Sequence, residues 1–331
     1  MDLLSKKKEG MTRRRFVGAL GAAALVLPRW ARSQSGKTLK LILSVPPGAA
    51  LDASARLLAE KLRVSLDRTV IIDYKVGGIG LSAGEFIKST EPDGSHLLFT
   101  PSGFFAYHTF LYSKLAYDPD RDLVPVCEGM TIPTAITVSA ASGIASFKDW
   151  VEAIRRDPKM RFVGAPSASG VGAFLTLLMG KTFGVDLELV PYKGGRPLLT
   201  DLLGGQVPAS ASVIADYLEL HRAGRLRILA QSSNVRSPLA PDIPSFTELG
   251  YPEFFGKTSF GFFVRAGTPQ PLIEQYAKAI TNALRAPEIA KRLNEIGLEV
   301  AGGTPEEFQK SLLADRNRWA PIAKQAGIRL D

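Results

Sequence analysis

Cysteine and histidine are nearly missing from this chain, with one of the first and three of the second in 331 residues. Cys127 alone can form no intrachain disulfide, and no Cys-x-x-Cys pair is present to hold a metal or attach haem. Beside the apolar residues 124–126 it reads as a small core residue. His96, His108 and His221 lack the i, i+4 spacing of a zinc helix, so neither a metal nor another cofactor is expected. No apolar run reaches the roughly 20 residues that span a bilayer. A Gly-x-Ser-x-Gly elbow is also absent, and Ser102, Ser167 and Ser169 have no histidine near them in sequence to serve as a base.

Positive charge is concentrated at the start. The formal net charge is +9, but residues 1–33 hold eight Lys/Arg and two Asp/Glu, which leaves about +3 on the rest. No basic stripe remains there, so no nucleic-acid partner is expected. Thr12-Arg13-Arg14-Arg15 stands directly before the apolar residues 16–27, and Ala31-Arg32-Ser33 offers small residues at the positions a signal peptidase reads. That arrangement predicts a twin-arginine export signal over residues 1–33 and a periplasmic location. No cysteine stands at the cleavage point to carry a lipid anchor.

Past the leader, short β-type runs alternate with helical stretches, the pattern of α/β lobes with mixed, mostly parallel sheets. Strands are expected at 39–45, 69–74, 97–100, 135–139, 161–164, 187–192, 227–231 and 260–264. Ala55, Leu58, Ala59 and Leu62 recur at helical spacing and give residues 52–66 one apolar face. Further helices are read at 270–285 and from 305 to about 319, the second opened by Thr304-Pro305-Glu306-Glu307, a capping box with proline at the first helical position. The length suits two lobes.

Gly78-Ile79-Gly80-Leu81-Ser82-Ala83 fits the glycine spacing of a dinucleotide fingerprint. No acid follows at the end of the next strand, and Asp93 belongs to a Pro92-Asp93-Gly94 turn, so these glycines read as tight turns near a cleft. What recurs is a strand ending in a Gly- or Pro-marked loop that feeds a helix, after residues 45, 100, 164 and 191. Each such loop presents unpaired N–H groups at a helix N-terminus, where the dipole favours an anion. Four of them at the carboxyl ends of strands would form a carboxylate clamp without arginines.

Leu189-Val190-Pro191-Tyr192-Lys193-Gly194-Gly195-Arg196-Pro197, followed by Leu199-Thr200-Asp201-Leu202-Leu203-Gly204-Gly205-Gln206-Val207, resembles the most distinctive stretch of the Bug, or TctC, family. Its members are extracytoplasmic solute-binding receptors of tripartite tricarboxylate-type transporters. Val45-Pro46-Pro47-Gly48 with Asp52, Tyr117-Asp118-Pro119, Pro241-Asp242-Ile243-Pro244 and Gly267-Thr268-Pro269 stand in the family's order, so the resemblance covers the whole chain after the leader.

The resemblance implies a two-lobed, periplasmic-binding-protein-like fold of type II, with a ligand cleft between the lobes. Lobe 1 would comprise residues 34–135 plus 263–331, and lobe 2 residues 136–262. One end of a small carboxylate would be held by Pro47, Gly48, Ala49, Ala50 and Asp52, with Ser102, Gly103 and Phe104 beside them. The other end would meet Ser167, Ser169, Gly170, Gly172, Lys193, Gly194, Gly195, Ser212 and Asp216.

The chain departs from the family pattern at Ala49, at Gly172 and Ala173, and at Ser212, where an acid is usual. Asp52 or Asp216 could supply that charge from elsewhere. These departures favour an aromatic or longer aliphatic carboxylate over an amino acid. The partners implied are that carboxylate and the membrane permease subunits, with the receptor a monomer and not an enzyme. Two other functions stay open at this level: an exported enzyme on the same fold, and a receptor that reports its ligand to a sensor protein.

Overall fold

The computed structural model describes residues 38–330, so the expected leader lies outside the described residues. In chain order, β1 (Thr38–Leu43), α1 (Ala50–Ser65), β2 (Thr69–Tyr74), α2 (Leu81–Lys88), β3 (His96–Pro101), α3 (Gly103–Leu111) and α4 (Pro119–Asp122) lead into the long strand β4 (Leu123–Ser139). Then come α5 (Phe147–Arg156), β5 (Phe162–Ala165), α6 (Val171–Phe183), β6 (Glu188–Pro191), α7 (Gly195–Leu203), β7 (Ala209–Val213), α8 (Leu218–Arg222) and β8 (Leu226–Gln231). The last elements are β9 (Lys257–Arg265), α9 (Gln270–Arg285), α10 (Pro287–Glu295), β10 (Glu299–Val300) and α11 (Pro305–Gln325).

The strands follow the order β2-β1-β3-β9-β4-β7-β5-β6, with β8 and β10 pairing to β4 off that path. β4 serves two sheets. Residues 123–133 pair with β9 in the first sheet, and Thr134–Ser139 pairs with β7 and β8 in the second. The change of sheet falls between Pro133 and Thr134, and the chain rejoins the first sheet at Lys257, the partner of Pro133. The sheets are mixed as expected. Parallel pairing is confined to the outer strands, however, and every pair made by β4 and β9 is antiparallel. Cys127 is fully buried in β4, and desolvation raises its thiol pKa.

Amphipathic helices seal both sheets. α1 buries Leu51, Ala55, Leu58 and Leu62 on one face, each leucine contributing about 1.5–3 kcal/mol when removed from water. α11 starts with the expected capping box, in which the Thr304 side chain accepts from the Glu307 N–H and the Glu307 carboxylate from the Thr304 N–H. It then serves two cores. Phe308 packs against Phe263 with Ile42 and Phe105, whereas Trp319 and Ala323 pack with Phe174 and Ile136. Within residues 263–331, assigned to lobe 1, α11 therefore packs into both cores.

Candidate functional site

Strand directions locate the site. β4 points from the first sheet into the second. β9 is antiparallel to both β4 and β3, and β1 and β2 follow β3, so β1, β2 and β3 all run the same way as β4. β7 is antiparallel to β4 and parallel to β5, which pairs parallel with β6. The carboxyl ends of the two sets therefore meet at the junction. Pro101 at the end of β3 pairs with Phe260, close to the crossing, and Val213 at the end of β7 pairs with Thr134 itself.

Four helices begin at this edge: α1, α3, α6 and α7. Two of these N-termini already face one of the protein's own carboxylates. At α1 the Asp52 carboxylate turns back to accept the Gly48 N–H at 2.9 Å, and it also takes the Tyr74 hydroxyl at 2.7 Å and pairs with Arg56 at 3.2 Å. Burial alone would raise this carboxyl. The bonds from Gly48, Tyr74 and Arg56 outweigh that and hold it below its ordinary value.

At α7, Asp216 is exposed at the surface, yet its Oδ2 lies 2.8 Å from where a Cβ on Gly195 would stand. The Ser212 hydroxyl donates to the same oxygen at 3.2 Å. Desolvation by the surrounding protein raises the Asp216 carboxyl, opposed by Ser212 and by the charge of Arg196. Near position 212, where the family usually has an acid, Ser212 is hydrogen-bonded to the Asp216 carboxylate at the start of α7.

α3 and α6 have no side chain capping their N-termini. These two ends line one cavity of about 240 Å³. Gly103 and Gly170 bring the two helix starts to it, with Val171, Tyr107 and Leu111 as apolar wall and Leu330 closing one side. Ser167 and Ser169 line the α6 side, where the Ser167 hydroxyl donates to the Ser169 carbonyl. Lys257, Thr258 and Ser259 enter from the start of β9, and Asp315 from α11. A carboxylate here would meet two helix N-termini and Lys257, which favour it, and the Asp315 carboxyl from α11, which opposes it when ionised.

Of the residues chosen from sequence, the cavity brings together Gly103, Ser167, Ser169 and Gly170. Ser102 is buried behind it, its N–H donating to the Ser259 carbonyl at 2.8 Å. Phe104 is in the first turn of α3, but its side chain lies outside those described. Pro47, Gly48 and Ala50 are exposed and Ala49 partly so, on a loop away from the cavity lining, and Asp52 is 4% exposed and fully engaged. Lys193, Gly194 and Gly195 reach the α6 loop through one bond, from the Gly194 N–H to the Pro166 carbonyl at 2.9 Å. Gly172 is a packing position, because a Cβ there would stand 2.2 Å from the Ala211 carbonyl oxygen. Among the described residues no group of His, Cys, Asp and Glu could hold a metal ion.

Lys257 and Asp315 escaped the sequence reading. For Asp315 a signal existed: it shares a helical stripe with Phe308, Leu312, Trp319 and Ala323, and an acid on an apolar stripe needs a reason.

Comparison with known proteins gives a consistent pattern. The profile described as tripartite tricarboxylate transporter family receptor (TctC) matches residues 54–328. A protein in the tcbD-tcbE intergenic region of Pseudomonas sp. (strain P51) is 30% identical over 85% of this chain and 84% of its own length. BugT of Bordetella pertussis is 28% identical over 95% of this chain and 96% of its own. Among solved structures, an R. palustris protein with adipate is 28% identical, with TM-score 0.76 over 89% of this chain and 99% of that one. The periplasmic binding protein BugD is 26% identical, with TM-score 0.72 over the same shares.

Proposed function

Because the chain belongs to the tripartite tricarboxylate transporter receptor family, we propose that it captures a small organic carboxylate in the junction cavity and delivers it to membrane permease subunits. The observation that carries this reading is the contrast among the four helix N-termini. Asp52 and Asp216 stand at α1 and α7, whereas the bare ends of α3 and α6 open on one cavity beside Lys257. The apolar wall of Tyr107, Leu111, Val171 and Leu330 suits a ligand with an aromatic or longer aliphatic body. The adipate held by the R. palustris relative is a carboxylate of the second kind.

In this reading the protein is exported by its twin-arginine leader, acts as a monomer and turns nothing over. The two sheets and their helices are the lobes, and they move about Pro133–Thr134 and Gly256–Lys257. A ligand at about a hundred times its dissociation constant should stabilise the native state by roughly 2.7 kcal/mol. A rise in melting temperature with apolar-bodied carboxylates, and none with the matching neutral amides, is the expected result. If no carboxylate in a broad panel raises it, or if a bound carboxylate is converted to product, the reading falls.

A further inference from the structure

Asp315 differs from the other acids near the junction. Asp52, Asp216 and Glu128 each accept at least one hydrogen bond, Glu128 from the Ser259 hydroxyl at 2.5 Å. The Asp315 carboxylate lines the cavity and, among the described residues, has neither a hydrogen bond nor an ion pair within 4 Å. Each packed element contributes to its surroundings. β4 brings the Glu128 carboxylate, β9 brings Lys257, Arg318 lies one turn along α11, and α3 brings Tyr107 and His108. The α6 loop presents only the hydroxyls of Ser167 and Ser169. Burial and then repulsion from Glu128, against the pull of Arg318 and Lys257, push the carboxyl up to about 7. Asp315 is half-buried, so in the empty cavity solvent can still reach its carboxylate; a ligand that fills the cavity displaces that water and has to replace its hydrogen bonds.

We propose that Asp315 is a specificity residue of the cavity, selecting carboxylates whose far end brings a proton to share, either a hydroxyl or the acid form of a second carboxyl. The proposal rests on the cavity being the ligand site. A hydroxyl donates to ionised Asp315 directly. A second carboxyl can bind only if one proton is held between it and Asp315, because two carboxylates at contact distance cannot both be ionised. An ammonium is disfavoured by Lys257 in the same lining.

Calorimetric titration of the whole protein with hexanoate, 6-hydroxyhexanoate, 6-aminohexanoate and adipate, at pH 6 and pH 8, tests this. The wild type should bind 6-hydroxyhexanoate at least about tenfold more tightly than hexanoate or 6-aminohexanoate, and its adipate affinity should fall about tenfold from pH 6 to pH 8. Asp315→Asn, which keeps a donor in place, should hold adipate at pH 8 as the wild type does at pH 6. Asp315→Ala should lose the preference for the hydroxy acid. The melting temperature of Asp315→Asn should exceed that of the wild type at pH 8 and match it below about pH 4, which also establishes that the variant folds. If the wild type binds these ligands and both variants keep its ranking and pH dependence, Asp315 is excluded and the cavity stands. Tighter binding of 6-aminohexanoate than of the hydroxy acid would overturn the shared-proton account in favour of simple charge pairing. If none of the four ligands binds the wild type, the cavity reading fails and the proposal with it.

Discussion

Ser232 and Thr134 are joined by two hydrogen bonds of opposite direction: the Ser232 N–H donates to the Thr134 carbonyl and the Thr134 N–H to the Ser232 hydroxyl, both at 2.8 Å. The same hydroxyl donates to the Gly256 carbonyl, so one buried side chain holds both crossings between the sheets. Ser232→Ala leaves a buried N–H and a buried carbonyl without that partner. The expected loss is about 1–3 kcal/mol, seen as a lower urea midpoint with an unchanged slope.

Asp52 should matter for folding and not for the ligand. Its carboxyl is held below its ordinary value, so its contribution is complete above about pH 4 and is lost as the pH falls through the lower folded value. Asp52→Asn should therefore be less stable than the wild type at pH 7, the gap closing in acid. Carboxylate affinity, followed by calorimetry, should stay within about twofold because the side chain does not reach the cavity.

Gly172→Ser asks the α6 helix to move away from β7, since the new Cβ would meet the Ala211 carbonyl at 2.2 Å. A cost of roughly 1–3 kcal/mol in thermal or urea unfolding is expected. Carboxylate binding should weaken in parallel, because the same helix carries Gly170 and Val171 at the cavity.

Lys257 is the one lysine in the cavity lining. Lys257→Met keeps most of the aliphatic stem and removes the charge, so stability should change little. Loss of a charge-assisted hydrogen bond worth about 1.5–3 kcal/mol corresponds to a roughly 10- to 150-fold weaker carboxylate, measured by titration calorimetry.

Replacing both Arg13 and Arg14 with lysine should leave precursor in the cytoplasm if the leader uses the twin-arginine route. Fractionation and immunoblotting read this directly. Unchanged delivery to the periplasm would point to the general secretory pathway.

Much of the fold could be read from the sequence because its signals are local. The strand at 69–74 and the helix at 270–285 were read at the bounds observed for β2 and α9. β4 was read only over 135–139. Its earlier part holds Pro125, Gly129 and Pro133, which break a strand pattern, and the register shifts on both sides of Cys127–Glu128 accommodate the irregularity. β7 was missed because Ala209-Ser210-Ala211-Ser212 has little β propensity. Burial between β4 and β5 makes it a strand. α11 was stopped near Trp319, before Pro321, yet packing of Trp319 and Ala323 carries the helix through the proline to Gln325.

The candidate site was harder to read, for a related reason. Loops that feed helices can be recognised one at a time, and Gly103, Ser167, Ser169 and Gly170 came from that pattern. Whether a helix start is bare or already faces an acid depends on partners far away in sequence. Gly195 faces Asp216, and the Asp52 carboxylate takes a hydroxyl from Tyr74. Lys257 and Asp315, which meet at the cavity from β9 and α11, stand more than fifty residues apart in sequence.

The threading of β4 and α11 through both halves also bears on how the molecule comes apart. Neither half is a closed unit: β4 runs unbroken from one sheet into the other, and releasing α11 removes Phe308 from one interior and Trp319 from the other. Unfolding of one half alone thus exposes core of the other, whatever rigid-body movement the two crossings allow. Calorimetry of residues 38–330 should record one heat-absorption peak, with equal van't Hoff and calorimetric enthalpies, although the chain folds as two lobes.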